Sequence, residues 1–283
     1  MQKPLNVLYI ASEAQPFNTT GTIAELAGNL PKSVKTLGHE IRVMLPGYGF
    51  INERRHHVHH LLRMKDIEIP MNGRMERAYV KSSYLACDNK KVQVYFLSND
   101  HYFDRSGLYF HPDTKEYFTD NDERFIFFCR GVFESLKKLG WQPDIIHCND
   151  WQCGLVPAYL KTIYKDDPFF KNTRTVFTAF SLASHGTFPK STFEKTGLPF
   201  GTYGGNGGTK LNFMNIGLSY ADAVTTFGNK VDKKALQSVE DGFTDHYAVN
   251  KKSVISMMPS QAANSHDEIA EKFIDIYRGL LKN

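Results

Sequence analysis

The six residues at positions 6–11, Asn-Val-Leu-Tyr-Ile-Ala, form a nearly unbroken apolar run, and they restrict the fold more than any other stretch. A strand that is apolar on both alternating faces must be covered on both, as inner strands of parallel sheets are. A loop at 12–21 follows, then a helical pattern with Ile23, Leu26, Ala27, Leu30 and Val34 on one face. Thr22 and Glu25 have the spacing of a capping box. Gly38 suits a helix end, and Ile41 to Leu45 reads as a second strand. This β-loop-α-β order is the repeating unit of a parallel sheet with helices on both faces.

Residues 51–97 break the alternation. Leu61 to Ile69, Ala78 to Leu85 and Val92 to Leu97 read as strands, separated by the turn formers Asn72-Gly73 and Asp88-Asn89-Lys90. An antiparallel insertion is expected here, over about 51–120, ending in a loop at 100–122 rich in Asp, Tyr and Phe. Alternation then resumes. A helix from Asp122 to Leu139 carries Phe125, Ile126, Phe128, Cys129, Val132, Phe133 and Leu136 on its core face. Asp144 to Cys148, Thr173 to Phe180 and Ala223 to Phe227 read as strands, and Gly154 to Tyr164 as a helix with proline in its first turn. The expected architecture is α/β: a single Rossmann-like parallel sheet over 1–230 with helices on both faces, plus the small antiparallel insertion. Residues 231–264 are polar and read as a linker or mobile loop. A helix within 265–283, with Ile269, Phe273, Ile276, Tyr277 and Leu280 as its apolar stripe, is expected to pack back on the same domain.

The net charge of +4 comes from interspersed basic and acidic residues, which speaks against a nucleic-acid partner. No apolar run suits a membrane span, and the N-terminus lacks a signal-peptide shape. A cytoplasmic location is expected. The four cysteines, Cys87, Cys129, Cys148 and Cys153, are too few for a disulfide scaffold and read as reduced buried thiols. His56-His57-Val58-His59-His60 reads as a solvated polar face beside Glu53, Arg54 and Arg55. No metal and no cofactor are expected. The glycine tract at 201–208 lacks phosphate-loop spacing.

Ligands of open α/β sheets bind outside the carboxyl ends of the strands. Three loops occupy such positions: 13–22, 149–153 and 181–186. Gly21, with its threonine neighbours, can present amides to an anion or simply start a capped helix. Asp150-Trp151-Gln152 combines an acid, an indole and an amide, a set suited to a sugar. The same residues also fit a helix N-cap beside a half-buried tryptophan.

Several segments together carry a resemblance. They are Tyr9-Ile-Ala-Ser-Glu-Ala-Gln-Pro-Phe17, Leu30-Pro-Lys-Ser-Val-Lys-Thr-Leu-Gly-His-Glu-Ile-Arg-Val-Met-Leu-Pro46, Asp120-Asn-Asp-Glu-Arg-Phe125, Asp144-Ile-Ile-His-Cys-Asn-Asp-Trp-Gln-Cys-Gly-Leu155, Phe193-Glu-Lys-Thr-Gly-Leu-Pro199 and Tyr220-Ala-Asp-Ala-Val-Thr-Thr226. In this order they resemble the N-terminal domain of bacterial glycogen synthases and plant starch synthases. These are retaining glycosyltransferases that pass glucose from ADP-glucose to the end of an α-1,4-glucan. The resemblance implies the acceptor-side half of a GT-B fold. Too few residues follow Thr226 for a second α/β domain, so a chain without the donor domain is expected.

The resemblance also implies a cleft lined by Gly21, Glu25, Asp150, Trp151 and Gln152. Other positions depart from the family pattern. Thr19 stands where the family has a phosphate-facing lysine and Thr22 where it has a second glycine. Phe180-Ser181 replaces a His-Asn pair, Asn215 a lysine, and Gly228 a serine. Loss of one electrostatic partner of a transition state lowers a rate roughly a hundred- to a thousandfold. The reading is a non-autonomous or inactive synthase-like protein that binds α-glucan or maltooligosaccharide, or a protein partner at the exposed former interdomain face. The alternatives are a synthase half completed by a separate donor domain, and a regulatory module docked on a true synthase.

Overall fold

The computed structural model describes residues 3–18, 21–180, 186–199, 210–227, 254–257 and 266–282. Thr19, Ser181, Gly228 and the 201–208 glycine tract lie outside the described residues.

The apolar opening run forms β1 (Asn6–Ile10), followed by α1 (Thr22–Thr36) and β2 (Glu40–Pro46). The capping box does not form. Gly21 is the N-cap and Thr22 is already helical, so the hydroxyl is one position too late to close the reciprocal pair with Glu25.

The insertion holds β3 (His59–His60), β4 (Ile67–Met71), β5 (Arg74–Cys87) and β6 (Lys90–Ser98). The single strand expected over 61–69 is broken by a 3-10 turn at Leu62–Met64. Met64 and Ile67 are both buried, three residues apart, a spacing that strand alternation cannot satisfy. Asn72-Gly73 and Asp88-Asn89 each close a two-residue hairpin, between the pairs Met71↔Arg74 and Cys87↔Lys90. The insertion is not a separate lobe: β6 pairs in parallel with β2 and antiparallel with β5, so the main sheet continues through it.

The chain then forms α2 (Asp100–Phe103), α3 (Asn121–Leu139), β7 (Ile145–Asn149), α4 (Leu155–Lys161) and β8 (Arg174–Ala179). The connection that follows β8 contains β9 (Thr187–Pro189), α5 (Thr192–Thr196) and β10 (Lys210–Asn212). Last come α6 (Phe213–Tyr220), β11 (Ala223–Phe227), β12 (Val254–Met257) and α7 (His266–Leu281). β12 lies inside the stretch read as linker and pairs in parallel with β11. The ten-stranded sheet runs β12-β11-β8-β7-β1-β2-β6-β5-β3, with β4 beside β5. No described helix is long and apolar enough to cross a membrane.

α7 packs on α1 and reaches β8. Its Ile269, Ala270, Phe273 and Tyr277 are buried. His147 on β7 sits under it, between the rings of Tyr9 and Phe273. The imidazole Nδ1 is 2.6 Å from the Tyr277 hydroxyl and Nε2 is 2.7 Å from Thr178 Oγ1, which is 2.6 Å from Thr225 Oγ1. A polar line thus crosses from α7 through β7 and β8 to β11. Burial pulls the imidazole down to about 3, so it is neutral at any physiological pH. Deleting the Tyr277 hydroxyl leaves a buried ring nitrogen unpaired. Tyr277→Phe is expected to cost about 1–3 kcal/mol in urea unfolding, with α7 still helical by circular dichroism.

Candidate functional site

The chain leaves β1 toward β2 on one side and returns to β7 on the other, which makes the β1/β7 boundary a topological switch point. Loops leaving the two carboxyl ends diverge there, the position at which open α/β sheets form a ligand crevice. The β1/β7 pairing ends at Ile10↔Cys148. Asn149 then takes over: its Nδ2 donates to Ile10 O at 2.8 Å and its Oδ1 accepts from the Tyr9 hydroxyl at 2.9 Å.

Asp150 is the next residue. Its backbone has φ 60° and ψ −178°, a region that side-chain-bearing residues avoid at a cost of about 1–3 kcal/mol. The conformation is held by its N–H, which donates to Thr178 O at 2.9 Å, and by its own carboxylate, which accepts from the Trp151 N–H at 2.7 Å. Asp150 is only 5 % exposed. Burial raises its carboxyl to about 7; the Trp151 amide opposes the rise and the charge of Glu13 adds to it.

Glu13 and Tyr109 complete the cluster, and neither was singled out in the sequence. Glu13 is buried just past the carboxyl end of β1, and burial raises its carboxyl while the Tyr109 hydroxyl lowers it. That hydroxyl donates to Glu13 Oε1 at 2.5 Å and lies 2.8 Å from Ser12 Oγ. Tyr109 itself is half-buried. The available signals were a Ser-Glu pair directly after an apolar strand and an aromatic-rich loop at 100–122. Nothing in the sequence joins two residues 96 positions apart.

Trp151 is 6 % exposed, between the rings of Phe125, Phe188 and Tyr109. Gly186, at φ +76°, lies so close that a Cβ would sit 2.6 Å from the Trp151 side chain. The indole therefore forms the floor of the crevice, and its faces are already covered. Tyr109 is the more open ring. Gln152 is buried, with its carbonyl 3.2 Å from the Cys129 thiol. Asp150, Trp151 and Gln152 thus come together. Gly21, Thr22 and Glu25 lie exposed at the start of α1 and share no hydrogen bond or ion pair with them. Phe180 is half-buried just past β8, and Asn215 is buried in α6 with its N–H donating to Asn212 Oδ1 at 3.1 Å. Among the described residues no His, Cys, Asp or Glu cluster is arranged to hold a metal.

Two buried carboxyl groups and a half-buried phenol therefore meet past the carboxyl ends of β1 and β7, a set that exchanges hydrogen bonds with neutral hydroxyls. Residues 6–244 match the family described as the starch synthase catalytic domain. The chain belongs to that family. It is 39 % identical to the glycogen synthase of Chlorobium luteolum, over 78 % of this chain and 45 % of that one. It is 41 % identical to the glycogen synthase of Elusimicrobium minutum, over 84 % and 48 % respectively. The chain thus spans about half the length of the curated relatives it matches. Among solved structures it is similar to the catalytic domain of starch synthase IV from Arabidopsis thaliana bound to ADP and acarbose. The TM-score is 0.75 at 23 % identity, covering 90 % of this chain and 52 % of that one. The fold is that of one GT-B glycosyltransferase domain.

The raised Asp150 carboxyl makes the synthase-like domain's stability depend on pH. An unfolded aspartate ionises near pH 4, the folded one near 7. Between those values the unfolded state releases its proton first, so this residue lowers stability as pH rises and has its full effect above 7. Asp150→Asn removes the dependence and keeps an acceptor for the Trp151 amide. In urea unfolding the variant is expected to match the wild type near pH 4 and to exceed it by a few kcal/mol at pH 8.

Proposed function

We propose that this starch-synthase-type domain binds the end of an α-1,4-glucan in the crevice between the carboxyl ends of β1 and β7, and that by itself it does not transfer glucose. Asp150 carries the reading. An acid held in a strained backbone, buried and part-neutral, lowers stability twice over, and such features collect where a ligand is recognised. Glu13 and Tyr109 beside it extend the same surface with groups that hydrogen-bond hydroxyls. The solved starch synthase IV domain carries acarbose, an oligosaccharide analogue, which supports a saccharide for this crevice.

The second half of the reading rests on side chains. Thr19, Phe180 and Asn215 stand where the family resemblance places lysine, histidine and lysine. None of the three can offset the charge of a nucleotide phosphate. Each lost partner of that kind lowers a rate roughly a hundred- to a thousandfold.

Isothermal calorimetry with maltohexaose is expected to show binding by the wild type and at least tenfold weaker binding by Asp150→Ala. No heat at millimolar maltohexaose would remove the glucan reading. The purified chain given labelled ADP-glucose and a glycogen primer is expected to incorporate no label; primer elongation by the chain alone would overturn the second half.

A further inference from the structure

The motif Asp120-Asn-Asp-Glu-Arg-Phe125 starts α3 and, besides Phe125, which packs on Trp151, contains a buried charge that the crevice chemistry does not use. Arg124 is wholly buried, and among the described residues no carboxylate lies within ion-pair distance of it. Its guanidinium sits among the rings of Phe103, Phe118 and Phe125, 5.0–5.7 Å from their centres. An unpaired buried charge is costly, and an apolar side chain would fill the same space more stably.

Its hydrogen bonds show what the charge does. Nε donates to Tyr102 O at 2.7 Å, and Nη1 donates to Leu108 O at 2.8 Å and to Asn121 Oδ1 at 2.7 Å. The last bond fixes which way the Asn121 amide faces. Asn121 Nδ2 then donates to Tyr109 O at 2.7 Å. The consecutive carbonyls of Leu108 and Tyr109 are therefore both gripped by the first turn of α3. The other end of Tyr109 is its hydroxyl, on Glu13 and Ser12. The 104–118 loop is also tied by the Arg105–Asp120 ion pair and by the Phe110↔Tyr117 bridge, beside which the Phe118 N–H donates to the same Tyr109 carbonyl at 3.0 Å; Asn121 is the donor on that oxygen that comes from α3.

We propose that Asn121 and Arg124 are positioning residues of the crevice: they fix the backbone of Leu108 and Tyr109 so that the Tyr109 phenol stands on Glu13, and thereby set the affinity for the saccharide. The affinity part rests on the glucan reading above; the placement of Tyr109 on Glu13 does not.

Asn121→Asp separates positioning from folding. It is isosteric, gives Arg124 a carboxylate partner, and replaces the Nδ2 donor with an oxygen that Tyr109 O repels. Tyr109→Phe and the double variant complete a cycle, and Asn121→Ala provides a second route to the same loss. Two readouts are taken: the carboxyl titration of Glu13 by carbon-13 NMR, without saccharide, and maltohexaose affinity by calorimetry. Asn121→Asp is expected to melt no lower than wild type, to move the Glu13 titration in the same direction as Tyr109→Phe and by at least half as much, and to add nothing in the Tyr109→Phe background. Affinity is expected to fall three- to tenfold in the native background and less than twofold when residue 109 is phenylalanine. An unmoved Glu13 titration in both Asn121 variants, or effects that add fully to those of Tyr109→Phe, would overturn the proposal. A wild type that ignores maltohexaose would sink the glucan reading, and the Glu13 titration would still decide the positioning role.

Discussion

Asn149 joins β1 to β7 where their backbone ladder stops, and the crevice depends on that junction. The β1/β7 register ends at Ile10↔Cys148. The Asn149 side-chain amide donates to the Ile10 carbonyl, and the Tyr9 hydroxyl anchors its other end. The side chain thus adds a tie to β1 while its own backbone still pairs with β8. Asp150 must turn within a single residue, which explains its positive φ and why its carboxylate folds back onto the next amide. Glu13 lies just past the carboxyl end of β1. Burial raises both acids, and the charge of Glu13 adds to the rise at Asp150.

Much of the sheet was legible from residues 6–11 onward. Strands covered on both faces are mostly apolar, and β1, β7 and β8 are buried at nearly every position, with His147, Asn149, Thr175 and Thr178 as the buried polar exceptions. The hairpins were legible because Asn72-Gly73 and Asp88-Asn89 suit two-residue loops. The break at Leu62–Met64 was not, since local apolar residues fit a strand and a turn equally well. Of the site, Asp150 was visible because it follows an apolar strand directly. The Glu13–Tyr109 bond was not, because it joins two loops whose meeting is decided by the packing of α3. The burial of Trp151 was equally hidden: an indole next to an acid looks the same in sequence whether its faces are free or covered by Phe125 and Phe188.

Asp150 and Arg124 both oppose stability. Asp150 is strained and desolvated; Arg124 is desolvated without a carboxylate. The fold offsets them with an apolar core that includes Phe125, Phe127, Phe128 and Phe133 on α3 and the docking of Phe273 and Tyr277 from α7. His147 belongs to the supporting side: both ring nitrogens are paired, and burial keeps the imidazole in its neutral, singly protonated form.

The parallel pairing of β1 with β7 also sets a timetable. The Asn6 amide is bonded to the Asp144 carboxylate, 138 residues away along the chain. During synthesis at about 5–20 residues per second, the innermost strand leaves the ribosome on the order of ten seconds before its second neighbour exists. β2 can shield one edge early, but the opposite edge and its apolar faces wait in the open. The nascent chain therefore passes through a half-built stage with an unpaired edge and bare apolar surface, the kind of species that aggregates when nothing shields it.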